Sequence, residues 1–246
     1  MNDADHPSPY VPPAEQVSHA PAPPDRLRLE AAVLTVVSLA ILAFPLYPEY
    51  LAKQTNALEA WGAVTLAWSV WLLARNYVAG WWVGLVGVAL YTVVFWNYSL
   101  YGEMGLQAFY FVTSLQAIVI WLRGDGDHDE RPVGRVTRRT LVLTGVVIVV
   151  GTIALGTLLH YARGAIAGWD AFTTVVSVTA HLYLMGRYVE SWYLWVAVDT
   201  IYVPLYASRG LTVTAGLYAV FLILAVQGLL RFEKLYREQH AVAAAP

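Results

Sequence analysis

The sequence contains no cysteine, only two lysines (Lys53 and Lys234), and charged residues at 13% of the chain. Each shortage excludes something. Without Cys there are no disulfides, thiolate metal sites or Cys nucleophiles. Without a membrane-embedded Lys there is no Schiff base of the kind a light-driven retinal protein needs. A soluble domain carries about 25% charged residues, roughly twice what is found here. The net charge of -2 offers no basic surface for nucleic acid. No GxxxxGK[ST] phosphate loop occurs, so ATP hydrolysis by that route is excluded.

What is present is hydrophobic: 58% of residues, gathered in long runs. Eight runs lie at about 29–47, 56–74, 77–99, 104–122, 140–160, 167–186, 190–207 and 210–231. A bilayer core about 30 Å thick takes roughly 20 apolar residues per helix. The expected class is therefore an all-α integral membrane protein of about eight transmembrane helices. Residues 1–28 are rich in Pro, Ala and acidic residues, without helical or strand period. They read as a disordered tail, too long and acidic for the start of a signal peptide. Residues 232–246 read as a second tail.

With eight spans both termini share a side. Twelve Arg and Lys residues fall on that side, Arg75, Arg123, Arg135, Arg187 and Arg231 among them; only Lys53, Arg163 and Arg209 fall on the other. The asymmetry predicts cytoplasmic termini in a bacterial inner membrane. The acidic stretch Gly124–Glu130 superficially suggests a calcium loop. It lacks the Gly and Glu that an EF-hand turn requires and reads as a solvated linker within 123–139.

Leu100-Tyr101 and Gly105-Leu106 recur as Leu205-Tyr206 and Gly210-Leu211, an offset of 105 residues (100 to 205). The offset predicts two three-helix units, 56–122 and 167–231, joined by the helix 140–160. This is a 3-1-3 parallel repeat, with 29–47 as an extra N-terminal helix. Substrates of such transporters bind near midplane between the repeats.

The seventh run carries the clearest candidate site. Trp192, Trp195, Asp199, Tyr202 and Tyr206 are spaced 3, 4, 3 and 4, which places them on one helix face. Asp199 lies about 13 Å from the start of the run, close to midplane. An ionisable residue at that depth is a functional candidate by default, and ring faces attract cations by about 0.5–2 kcal/mol each. The spacing suits a flat, cationic, aromatic ligand. The structural alternatives are belt anchoring for Trp192 and an interhelical hydrogen bond for Asp199. Gln107, Gln116, Ser177, Thr179, His181 and Gln227 are further polar residues within spans, the type that commonly bonds helix to helix. Asn97 lies at the outer end of the third run, among the headgroups.

Trp61-Gly62, Asn76, Gly84, Tyr91, Leu100-Tyr101-Gly102, Leu106-Gln107 and Tyr110 resemble the first half of the PnuC family of vitamin transporters. Trp169-Asp170, Ser177, Arg187-Tyr188-Val189-Glu190, Trp192 with Trp195, Tyr218 and Gly228 resemble its second half. The resemblance covers about 57–232. It implies uptake of nicotinamide riboside for NAD synthesis by facilitated diffusion, with a cytoplasmic kinase trapping the substrate. Trp192 and Trp195 match the family's stacking pair, and Gln107 its first-repeat Gln. Tyr202, Gln227, Tyr91 and Asn97 complete the candidate substrate-binding set with Asp199. There are departures: Leu115-Gln116-Ala117-Ile118 replaces an Asn and a Gly-Trp, Gln227 replaces an Asn, and Asp199 stands where some members have Asn. Thiamine, another flat cation, is the alternative substrate; riboflavin, neutral and bulkier, fits less well. No cofactor or metal is expected. The partners are the vitamin and membrane lipid, and a homo-oligomer stays open. Outside transport, an intramembrane enzyme would need an acid-base pair or dyad, for which Ser177 and His181 are the nearest candidates; a receptor or scaffold is a further alternative.

Overall fold

A computed structural model describes residues 24–43, 57–97, 101–123, 132–161, 167–208 and 212–243. The described residues form eight helices: α1 (Pro24–Ala43), α2 (Ala57–Ala74), α3 (Ala79–Asn97), α4 (Tyr101–Arg123), α5 (Arg138–Tyr161), α6 (Ala167–Met185), α7 (Glu190–Ser208) and α8 (Thr212–Ala243). The apolar runs reappear as helices, with two changes at the ends. α1 begins at Pro24, inside the stretch expected to be tail, and α8 continues past residue 231 to Ala243. The segments Ala57–Ala74, Met104–Arg123, Arg138–Leu158 and Ala215–Ala241 are each long and apolar enough to cross a bilayer by length and composition. The acidic stretch 124–130 lies outside the described residues.

Helices α2, α3 and α4 pack in succession, as do α6, α7 and α8. The two groups meet where α2 packs on α8 and where α4 packs on α6. Among the described residues α1 leans only on α2, and α5 only on α6. Every side chain in the membrane-crossing stretch of α5 is at least partly exposed. Its Val and Leu surface is the kind that lipid solvates without cost.

α2 and α6 end in the same way. Asn76 (φ 63°) and Arg187 (φ 55°) adopt the left-handed conformation. At the first turn the Asn76 N–H donates to the Leu73 carbonyl at 2.9 Å and the Tyr77 N–H to the Leu72 carbonyl at 3.0 Å. At the second, Arg187 donates to Leu184 at 2.9 Å and Tyr188 to Tyr183 at 3.0 Å. These are paired Schellman closures, and their offset is 111 residues (76 to 187). The same offset carries Ala79–Asn97 onto Glu190–Ser208 and Tyr101 onto Thr212. It also relates two aromatic pairs: Trp81 to Trp121, with ring centres 5.6 Å apart, and Trp192 to Phe232, at 5.5 Å, both edge to face. The offset of 105 expected from Leu100-Tyr101 is therefore corrected. Tyr101 opens α4 whereas Tyr206 lies inside α7, so those short matches are not structural equivalents.

The four aromatic side chains, together with Val133, Val189 and Leu235, form a tightly packed layer across one end of the bundle. This is the arginine-rich end. Residues 132–137 are fastened to it. The Gly134 N–H donates to the Arg187 carbonyl at 3.1 Å, and the Val189 N–H donates to Gly134 at 3.0 Å. Arg135 pairs with Glu233, which raises its already high pKa further, and Glu233 also accepts from the Tyr193 hydroxyl at 2.9 Å. Glu190 accepts from the Val136 N–H at 3.1 Å. α1 is held by the Glu30–Arg75 ion pair, with Arg75 stacked 3.8 Å above Trp71, and by a Trp68 to Ser38 hydrogen bond of 3.1 Å.

Candidate substrate cavity

Between the two groups of helices lies a cavity of about 500 Å³, lined by residues from α2 to α8. Drug-sized and cofactor-sized molecules occupy pockets of about 300–1,000 Å³. α3 and α7 both line the cavity yet do not pack against each other; the cavity separates them.

The α7 face supplies Trp192, Trp195, Asp199 and Tyr202 to the wall, as the helical spacing predicts. Pro204 sits further along the same helix, on an exposed position. Asp199 is only 4% exposed. Among the described residues its carboxylate has no hydrogen-bond or ion-pair partner, which removes the interhelical bond as an explanation for it. Trp195 is half-buried. Trp192 is more deeply placed: its ring packs against Gly228, where an added Cβ would come within 2.6 Å, and against Phe232. Its depth in this layer is incompatible with a headgroup anchor. Its indole N–H is buried and has no partner among the described residues.

Gln107 reaches the cavity from α4. Three other expected residues do not line it. Gln227 points elsewhere on α8, with its side-chain carbonyl buried and without a partner among the described residues. Tyr91 lies against Gly62, whose added Cβ would meet its ring at 3.0 Å. Asn97 is exposed at the end of α3. At about 100° per residue, Gln227 and Asn97 fall on faces directed away from the cavity, whereas Tyr91 shares the face of Trp81, Gly84 and Val88 but lies a turn beyond them, against Gly62. The side chain of Tyr206 lies outside the described ones.

Several wall residues were not among the expected site. α4 adds Tyr110 and Ser114, α6 adds Thr174, Ser177 and His181, and α8 adds Tyr218 and Phe221. Tyr202 and Tyr218 stack with centres 4.5 Å apart, and Tyr218 meets Phe221 edge-on at 5.7 Å. The signal was available: Gln107, Tyr110 and Ser114 are spaced 3 and 4, as are Thr174, Ser177 and His181. This is the spacing that singled out α7. Ser177 and His181 do not form a dyad. His181 Nε2 engages the Thr113 hydroxyl at 2.9 Å, and the Ser177 hydroxyl bonds Tyr110. Among the described residues no cluster of three or more His, Asp or Glu could hold a metal.

The chemistry of the wall is thus aromatic on several sides, with one partnerless carboxylate, one amide and several hydroxyls. Comparison with known proteins fits that arrangement. The chain is 29% identical over 187 residues to the nicotinamide riboside transporter PnuC of Neisseria mucosa, covering 71% of each chain. It is 23% identical over 197 residues to the protein of the same name from Escherichia coli, covering 70% of this chain and 82% of that one. The crystal structure of the vitamin B3 transporter PnuC superposes with a TM-score of 0.69 at 25% identity, covering 85% of this chain and 92% of that chain. Residues 56–234, which span both three-helix groups and the cavity, match the family model described as nicotinamide mononucleotide transporter, and the chain is a multi-pass membrane protein belonging to that family.

Proposed function

We propose that this protein carries nicotinamide riboside across the bacterial inner membrane, feeding NAD synthesis. The observation that carries the reading is Asp199: a buried carboxylate without a partner among the described residues, set in an aromatic cavity of about 500 Å³ between two groups of helices. Nicotinamide riboside is a flat pyridinium cation bearing a ribose and an amide. Trp195 offers a ring face to the pyridinium, Asp199 offsets its charge, and Gln107 accepts from or donates to its amide or hydroxyls. Trp192 forms the end wall against which the ring rests. The named relatives transport this substrate, which supports the same choice here.

In this reading the two three-helix groups alternate access to the cavity. The aromatic layer of Trp81, Trp121, Trp192 and Phe232 closes it toward the arginine-rich side, and the excess of Arg and Lys makes that side cytoplasmic. The protein needs no ATP site, because phosphorylation by a cytoplasmic kinase keeps the nucleoside gradient inward. Enzyme activity has no support in the cavity, where the Ser177 and His181 hydrogen bonds run to other residues.

Titration calorimetry of the detergent-solubilised protein with nicotinamide riboside, thiamine and riboflavin tests the proposal. Nicotinamide riboside is expected to bind tightly and the other two weakly. Preferential binding of thiamine, also a flat cation, would retain the cavity and reassign its substrate. Solute uptake into proteoliposomes separates a carrier from a receptor or scaffold.

A further inference from the structure

The Trp192–Phe232 contact that closes the cavity has a polar contact beside it. Tyr193 follows Trp192 on α7, Glu233 follows Phe232 on α8, and the Tyr193 hydroxyl donates to Glu233 at 2.9 Å. Arg135 grips the same stretch of α8 from a third element. It pairs with Glu233 and lies 5.2 Å over the ring of Tyr236, about one turn further along. Arg237, on α8 itself, stands 3.8 Å from Glu233.

Arg135 is presented from a fixed backbone. Gly134 before it is hydrogen-bonded in both directions to the α6–α7 turn, and the Val136 N–H after it donates to Glu190. The Arg135 guanidinium also lies 4.0 Å from Glu190. Residues 134–136 therefore belong mechanically to the start of α7, and Arg135 ties that start to α8. The first group of helices has no such tie. At the offset of 111, Glu190, Tyr193 and Glu233 correspond to Ala79, Trp82 and Leu122 (190 to 79, 193 to 82, 233 to 122), none of which carries a charge. A three-helix unit thus folds without the tie, and its presence in the second unit calls for a role other than folding. Arg135 and Tyr193 are exposed, whereas the Glu233 side chain is mostly buried. Ion pairs that water reaches are individually weak, which suits a contact that breaks and re-forms in every cycle.

We propose that Arg135 and Glu233 are the latch of a gate on the arginine-rich side. While they are paired, α8 keeps Phe232 against Trp192 and the cavity is shut on that side. When they part, the two aromatic rings separate and the cavity opens there. The latch draws on no gradient. It sets how often the gate opens and leaves the final distribution of the solute unchanged, in keeping with facilitated diffusion. The proposal rests on the alternating-access reading, but on no particular substrate.

The chain has no cysteine, so a single Val88→Cys on the α3 wall reports access to the cavity without background. A membrane-impermeant thiol reagent is added in turn to intact cells and to inverted vesicles of the full chain. Glu233→Gln and Arg135→Gln are each expected to speed labelling from the arginine-rich side about fivefold, the population shift from losing one exposed ion pair. Labelling from the other side should be unchanged or slower. Arg135→Lys, which keeps the charge, should stay close to the unaltered rate. If neither Gln variant folds, about 1 M salt screens the pair in the unaltered latch and should quicken labelling from the arginine-rich side alone. Labelling needs no substrate, so the nicotinamide riboside reading stands or falls separately, on uptake of the labelled nucleoside into proteoliposomes. Rates that respond neither to the variants nor to salt, or that rise equally from both sides as in a loosened fold, overturn the latch.

Discussion

The third and seventh helices occupy equivalent positions in the two halves of the bundle and turn equivalent faces to the cavity, yet those faces carry different chemistry. At an offset of 111 (79 to 190), Trp81 corresponds to Trp192, and both lie in the aromatic layer that closes one end. Beyond that layer the positions still correspond but the side chains do not. Gly84 and Val88 face Trp195 and Asp199 across the cavity. The duplicated frame is retained where it packs and has diverged where a ligand would sit: α3 leaves space, and α7 supplies the chemistry.

The sharpest way to break this asymmetry is to remove it from α7. Trp195→Ala is expected to weaken nicotinamide riboside binding by about 2 kcal/mol, roughly thirtyfold, the upper range for a desolvated cation–π contact. Thermal stability should barely change, and calorimetry with a melting curve checks both. A Trp that serves only to pack would show the reverse. Asp199→Asn should cost the cationic nucleoside roughly tenfold in Kd, because a charge-assisted contact is lost, while leaving binding of an uncharged pyridine nucleoside within about twofold. Equal losses for both ligands would show that Asp199 does not read charge.

The closing layer sharpens the comparison from the other side. Gly228→Ala sets a Cβ within 2.6 Å of the Trp192 ring, and overpacking of this kind typically costs about 1–3 kcal/mol. Its counterpart at offset 111 is Ala117, already a methyl-bearing residue and fully buried, so Ala117→Gly is expected to cost less, about 1 kcal/mol. Denaturation in detergent compares the two. The smallest effects belong to the paired turns. Asn76→Gly relieves a left-handed backbone and should stabilise by about 0.5 kcal/mol. Arg187→Gly gains the same relief but forfeits the stack on Trp121, about 0.5–2 kcal/mol, and should be neutral or destabilising. If both variants stabilise equally, that stack contributes nothing.

The helices were readable from the chain because a span must satisfy its backbone internally and be apolar along its length; the Val-Val-Ile-Val-Val run from 146 to 150 in α5 admits little else. The site was readable only in part. The α7 face emerged because Trp, Asp and Tyr contrast with the Val and Ala opposite. Tyr110, Ser177, His181 and Tyr218 carry the same spacing but sit among other aromatic or small residues, so one face does not stand out from the next. Tyr91 and Asn97 were drawn in by residue type; how far along α3 the cavity extends, which leaves out Tyr91, and the direction in which the helix end turns Asn97 are properties of packing. The repeat register was hidden for a related reason. Its best evidence, Asn76-Tyr77-Val78 against Arg187-Tyr188-Val189, shares only two identities; the equivalence lies in backbone conformation, which Asn and Arg adopt at the same place despite their different side chains.

α8 has a mechanical consequence that the cavity alone does not suggest. It runs unbroken for 32 residues, about 48 Å at 1.5 Å per residue, some 18 Å more than a hydrocarbon core spans. Gly228, where α8 touches Trp192, lies about 22 Å from Ala243 along the axis. A tilt of about 10° around that contact would sweep the helix tip through roughly 4 Å. α8 is thus a lever pivoted near its middle, with one arm along the cavity and the other projecting beyond it. A fluorescent or spin label near Ala243 would turn small rearrangements around the substrate into displacements large enough to measure.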